Sequence, residues 1–156
     1  MSATVYNVGK SLVGSQDIGS SGSVVLNLLL VTTDYTYDHD HATIDDATTD
    51  DPVSYEIAPS GYSRQEVTGR SLYTDTANDF VGLDAADVTF ASLAAGATIG
   101  GAVAYRYSTS GGTTGDTGQV PVAFYALTAT PTNGGDITVT WASTSDGSML
   151  KIGSTS

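Results

Sequence analysis

Residues 79–107 read Asp79-Phe-Val-Gly-Leu-Asp84-Ala-Ala-Asp-Val88-Thr-Phe90-Ala-Ser-Leu93-Ala-Ala-Gly96-Ala-Thr98-Ile-Gly-Gly101-Ala-Val-Ala-Tyr105-Arg-Tyr107. Val88, Phe90 and, less regularly, Leu93 alternate with Thr89 and Ser92. Val103, Tyr105 and Tyr107 alternate with Ala102, Ala104 and Arg106. A period of two places one set of side chains on one face of a pleated strand. The small-residue link Ala94–Gly96 between the two runs predicts antiparallel neighbours joined by a Gly-containing loop. Gly100, Gly101, Ala102 and Ala104 leave room for close approach by another backbone or side chain.

The rest of the composition agrees with a β architecture. The chain has 156 residues, enough for one domain with a real core. Charged residues make up only 14%, and much of the polar character comes from Gly, Ser and Thr, including 18 glycines. That mix suits short strands and turns, and no window sustains a helical apolar period over three turns. Cysteine is absent, so disulfides, thiolate–zinc sites and thiol catalysis are excluded. The formal net charge is -12, with five Lys and Arg. Nucleic-acid binding needs a basic face that these residues cannot build, and an anionic membrane surface is disfavoured for the same reason. No secretory signal pattern opens the sequence, and the longest apolar run, Val24–Val31, is too short to span a bilayer.

Taken in order, residues 1–22 form a candidate arm or edge strand, 23–152 the domain, and 153–156 a tail. In the arm, Val5, Tyr6, Val8, Leu12 and Val13 are scattered among glycines, a weakly self-folding pattern. These five are the candidate partner-binding residues. Val24–Val31 is apolar at both parities apart from Asn27 and predicts a central strand covered on both faces. Pro52–Ile57 reads as a short edge strand and Pro59-Ser-Gly61 as a turn. Tyr62, Arg64, Glu66 and Thr68 share one parity, so Arg64 and Glu66 are placed to pair. Thr74–Asp79 reads as a polar turn. Ser108–Gly118 is a low-complexity loop without the lysine of a phosphate loop. Val120–Thr128 alternates, with Pro121 requiring an edge or an unbonded position. Thr132-Asn-Gly-Gly-Asp136 is a turn. It leads into the cleanest strand, with Ile137, Val139 and Trp141 inward, and Met149–Ile152 closes the domain. Eight or nine short strands at this spacing predict an all-β, antiparallel β-sandwich, jelly-roll-like. Its edges require cover or oligomerisation.

Residues 34–51 break the composition with Asp34, Asp38, Asp40, Asp45, Asp46, Asp50 and Asp51 around His39 and His41. Asp38 with Asp40, or Asp45 with Asp46, offers oxygens to calcium, and His39 and His41 add nitrogens for a transition metal. The turn Gly and closing Glu of a calcium loop are missing. The segment therefore reads as a solvated acidic loop, dispensable for folding, with no metal or cofactor assigned.

One resemblance covers roughly residues 24–152. It rests on the order of short pieces: an apolar strand running into Thr32-Thr-Asp-Tyr-Thr-Tyr-Asp38, then Gly61-Tyr-Ser-Arg64, Asp84-Ala-Ala-Asp-Val-Thr-Phe90 and Gly101-Ala-Val-Ala-Tyr-Arg106. Val122-Ala-Phe-Tyr125, Asn133-Gly-Gly-Asp-Ile-Thr-Val-Thr-Trp141 and Met149-Leu-Lys-Ile152 follow. In this the chain resembles small virion structural proteins of tailed bacteriophages, of the head decoration (cement) type. The resemblance implies a non-enzymatic protein on the outer surface of the phage head. It further implies binding to the major capsid protein and self-association as a homo-oligomer, with a trimer among the options. The first twenty residues depart from the shared pattern. Two other classes compete. A carbohydrate-binding or adhesive module, as in a tail or fibre component, would use exposed tyrosines; the chain has nine tyrosines in all, most at alternating positions that suit core or subunit packing. A glycosidase would need a carboxylate pair, and no spacing singles one out.

Overall fold

The computed structural model describes residues 3–14, 24–46, 50–77, 79–107, 116–141 and 149–153. The first long apolar run shows why the fold has layers. It forms strand β2 (Val25–Thr32), and both of its faces are covered. Leu26, Leu28 and Leu30 enter the main core, while Leu29 and Val31 enter a second cluster on the opposite side. Strand β7 (Thr98–Tyr107) divides its side chains the same way, with Ile99, Ala102 and Ala104 facing the main core and Val103 and Tyr105 the second. Two-sided burial of alternating residues marks a sheet with a layer on each face.

Ten strands and one short helix are described. Besides β2 and β7 they are β1 (Ala3–Val5), α1 (Asn7–Gly14), β3 (Gln65–Glu66), β4 (Ser71–Asp75), β5 (Phe80–Asp84), β6 (Val88–Phe90), β8 (Val120–Pro131), β9 (Ile137–Val139) and β10 (Leu150–Gly153). All ladders are antiparallel. The central sheet runs β1-β8-β7-β2-β3, and two smaller sheets run β10-β5-β4 and β6-β9. Leu83, Val88, Phe90, Val139, Trp141, Met149 and Leu150 from the smaller-sheet side close the main core against β2, β7 and β8. The fold is an antiparallel all-β sandwich.

The small residues of β7 work as expected. The Phe124 ring lies directly against Gly101, with no room for a Cβ, and the Thr33 backbone does the same at Gly100. Pro121 sits opposite Tyr105, where the β7–β8 register slips. A bulge is one of the few places inside a ladder that tolerates a residue without an N–H.

Several expectations are corrected. The runs 88–93 and 98–107 do not pair with each other. After Phe90 the chain turns through Ser92, at φ 54°, and is tied to the Asn133–Asp136 turn. Ser92 N–H donates to Asp136 Oδ1 at 2.8 Å, and Leu93 N–H to the Gly135 carbonyl at 3.1 Å. β6 therefore lies against β9, and both edges of β7 go to the longer strands β2 and β8. The Pro52–Ile57 segment is a 3-10 turn at Val53–Tyr55, with a single bridge from Glu56 to Val31. The polar turn expected at Thr74–Asp79 is present after Asp75, and what the sequence did not show is the pair of strands it joins, β4 and β5. The tip of the low-complexity segment, residues 108–115, lies outside the described residues.

The acidic segment is more than a solvated loop. It is the third layer. Tyr35, Ile44 and Tyr6 are buried with Leu29, Val31, Val103 and Tyr105 on the outer face of the central sheet. Its aspartates face outward at Asp34, Asp38 and Asp40, while Asp51 is buried and accepts a 2.8 Å bond from Ser54 N–H at the start of the 3-10 turn. Few apolar residues at irregular spacing are enough here because each is large and aromatic or branched.

The first residues are likewise part of the domain. β1 pairs with the outer edge of β8 at Ala123–Tyr125, and Tyr6 N–H extends the ladder to the Val122 carbonyl at 3.1 Å. α1 then sits on β8 so closely that a Cβ on Gly9 would overlap the Val122 backbone. Two glycines and β-branched residues make this helix weak on its own, and packing supplies what propensity lacks.

Candidate functional site

Arg64 is one of five basic residues in an acidic chain, and the fold places two carboxylates around it. Its Nε donates to Glu56 Oε1 at 2.8 Å and its Nη2 to Asp116 Oδ2 at 3.0 Å, with further bonds from Nη2 to Glu56 Oε2 and from Nη1 to Asp116 Oδ1. The expected partner, Glu66, is not used. Tyr62 Oη donates to Glu56 Oε1 at 2.6 Å and accepts from Leu30 N–H at 3.1 Å. The guanidinium carbon lies 5.5 Å from the centre of the Tyr105 ring. Burial opposes the charge on Arg64, but the bonds and charges of Glu56 and Asp116 outweigh it and hold its pKa above the ordinary range. Burial, then the Glu56 charge, pushes Tyr62 well above the usual tyrosine range.

Every oxygen of these two carboxylates meets a donor, so the cluster joins segments that lie far apart in the chain. It ties the 3-10 turn at Val53–Tyr55, the start of β3, and the Asp116–Gly118 turn before β8. The side chains of Arg64, Glu56 and Asp116 are 23%, 14% and 31% exposed, so solvent screens them only in part. Arg64→Met is expected to destabilise by about 2–4 kcal/mol, because two carboxylates would be left facing each other half-buried. Arg64→Lys keeps the charge but loses the planar fork, and should recover less than half of that loss. Chemical denaturation of both variants checks this; full recovery by Lys would show that the geometry of the fork is irrelevant.

The metal-capable residues are divided by the fold. Asp38, His39 and Asp40 are exposed, with ligand atoms within 4.8 Å of one another. Their bonds reach one another and the start of α1. Asp40 N–H donates to Asp38 Oδ1 at 2.9 Å, and Asn7 Nδ2 donates to Asp40 Oδ1 at 2.9 Å. Together with the Asn7 N–H to His39 carbonyl bond at 3.0 Å, these contacts dock the start of α1 on the loop. His41 does not join them. It is only 4% exposed, with its ring 6.4 Å from that of Tyr6.

Of the five candidate partner-binding residues, Tyr6 is fully buried in the second cluster, where its Oη meets Tyr35 Oη at 2.6 Å. Val5 and Leu12 are half-buried against the main core, and Val8 against the second cluster. The side chain of Val13 lies outside the described residues. The arm's apolar surface is thus largely engaged by its own domain, because β8 offers an unpaired edge and the outer sheet face offers an apolar bed.

The buried phenols carry a pH signature. Burial pushes Tyr35 up to about 12, against a smaller opposing effect of its bond to Tyr6. Burial raises Tyr6 and Tyr125 well above the usual tyrosine range. A raised folded-state pKa contributes stability that is complete below the unfolded value near 10 and is lost as pH rises through the folded value. Stability is therefore expected to fall from about pH 10 to about pH 12. Phenolate absorbance should rise in two phases, the second coinciding with unfolding. A single phase before unfolding would show that the aromatic layer is open to solvent.

Sequence reasoning found Arg64 and its need for a carboxylate but named the wrong one. Asp116 is 52 residues away in a segment with no periodicity, and no local signal joins them. Comparisons with protein-family models, with curated proteins and with solved structures return no match.

Proposed function

We propose that this chain is a virion structural protein of a tailed bacteriophage, a decoration protein bound to the outside of the head and stabilising it. The observation that carries the reading is the use the fold makes of its polar groups. The half-buried charge cluster at Arg64, Glu56 and Asp116 is bonded within the fold, with Tyr62 and Tyr105 beside it, as a fastener. The buried phenols of Tyr6 and Tyr35 are likewise bonded to each other. What remains outside is a strongly acidic surface on a three-layered β body, which suits a part that is present in many copies and docks on a complementary surface. The resemblance of the sequence pieces, in their order, to those of phage decoration proteins supports the same reading. The partner is then the major capsid protein, and the protein works as a homo-oligomer around a local symmetry axis, where linked copies bind with high effective concentration.

Sedimentation with capsids that lack the protein tests this. Co-sedimentation should saturate at a fixed copy number per capsid, and the decorated particle should survive heating that disrupts the bare one. A protein that stays in the supernatant at all concentrations while binding glycans on an array would replace this reading with that of an adhesive module.

A further inference from the structure

β8 and β9 are consecutive strands, yet they diverge. β8 stays in the central sheet and β9 pairs with β6. Between them lies an open groove of about 440 Å³. Leu127 and Ile137 supply apolar lining over the buried Ile99, and Thr128, Thr138 and Asp136 supply polar lining. Both strands bordering it are underused. Among the described residues β9 has a ladder partner on one side only, β6. On β8 the first strand reaches no further than Tyr125, so residues 126–131 have β7 as their one strand neighbour among the described residues. Unpaired strand edges are templates for an added strand. The β8 border is partly blunted, because the register slips between Ile99 and Gly101 and the Thr130 hydroxyl bonds the Thr128 carbonyl at 2.8 Å. The β9 edge carries no such device among the described residues.

We propose that this groove takes an extended, basic peptide segment of a partner protein as an added strand. Backbone bonds come chiefly from β9, and alternate side chains of the segment rest on the half-buried Leu127 and Ile137. Charge selects the occupant. Asp136 spends one oxygen on Ser92 N–H, no basic residue lines the groove, and the whole chain carries a net charge of -12. At this groove the charge favours a Lys- or Arg-bearing segment over an equally acidic strand of a second copy, so self-association is left to other faces of the domain. The groove also lacks an aromatic platform, which disfavours sugar stacking. The proposal is independent of the virion reading.

The test uses the full chain and three short synthetic peptides: Val and Thr alternating with Lys at both ends, the same peptide with Glu for Lys, and the Lys peptide with a central Pro. The Lys peptide should bind saturably and more weakly as salt rises. It should also slow amide exchange at residues 137–139 and 126–130. The Pro peptide, lacking a donor at its centre, should bind about tenfold more weakly, and the Glu peptide not measurably. Thr128→Arg fills the groove from an exposed position and should abolish binding without changing the melting temperature. Asp136→Asn keeps the acceptor for Ser92 and should weaken binding several-fold with a flatter salt dependence. Absence of saturable binding, equal binding of all three peptides, or unchanged binding by Thr128→Arg overturns the proposal. Concentration-dependent dimerisation of the free protein that Thr128→Arg abolishes would assign the groove to a second copy instead.

Discussion

Deletion of residues 2–14 is expected to unfold the domain rather than to detach an arm. These residues supply the β1 ladder on β8, and Tyr6 is fully buried in the cluster that covers the outer face of the central sheet. Tyr37 Oη donates to the Val5 carbonyl at 2.8 Å, so the acidic segment is fastened to the same residues. Removing Tyr6 alone corresponds to a large aromatic truncation, about 3–5 kcal/mol. That is a large fraction of the roughly 5–15 kcal/mol that holds a typical domain together. Losing the strand, the helix and the loop anchor as well leaves little reserve. The truncated chain should show no cooperative thermal transition and should bind hydrophobic dye. Tyr6→Phe is the graded control. It keeps the ring and strands the Tyr35 hydroxyl, for a loss of about 1–3 kcal/mol. A truncated chain that melts cooperatively within a few degrees of the full one would show that the first residues are an appendage after all.

Trp141→Ala is expected to have the next largest effect. Trp141 is 7% exposed, its ring centre is 5.0 Å from that of Tyr125, and its Nε1 donates to the Ala86 carbonyl at 2.8 Å. Its backbone N–H donates to Asp87 Oδ1 at 3.1 Å. The side chain thus joins the end of β9 to the connection before β6 while filling the main core. Truncation should cost about 3–5 kcal/mol, which corresponds to a fall in melting temperature of about 6–20 °C. Trp141→Phe retains most of the packing and leaves the Ala86 carbonyl without its donor, for a loss of about 1–3 kcal/mol. Because this is the sole tryptophan, its emission should be blue-shifted and poorly quenched in the native protein and should shift red on unfolding. Red-shifted, freely quenched native emission would contradict its place in the core.

Both residues lie where the chain could be read in part. The stripe of Ile137, Val139 and Trp141 shows an inward face by its period, and Val139 and Trp141 are buried as that period requires. Tyr6 shows no period, because one aromatic residue between a three-residue strand and an eight-residue helix cannot establish one. Burial of a regular strand is written locally, and burial of an isolated anchor depends on what another segment brings to it.

The sequence by itself determined the β class, the two-sided burial of residues 24–31, the turns at Pro59–Gly61 and Asn133–Asp136, and the close approach at Gly100 and Gly101. Each follows from side-chain period, side-chain size or turn chemistry within a few residues. Tertiary structure alone decided which strands are neighbours. Period two tells which face of a strand is buried but is silent about which edge meets which partner, so β6 went to β9 and β7 to β2 and β8. It also decided that the acidic segment forms a layer. Tyr35 and Ile44 are held there by an apolar sheet face that only exists once β2, β7 and β8 are assembled. The partners of Arg64 were settled in the same way, since a charge selects whichever carboxylates the fold brings within bonding distance. Glu56 and Asp116 lie 60 residues apart in the sequence and meet only because β2, β3 and β8 order the turns that carry them.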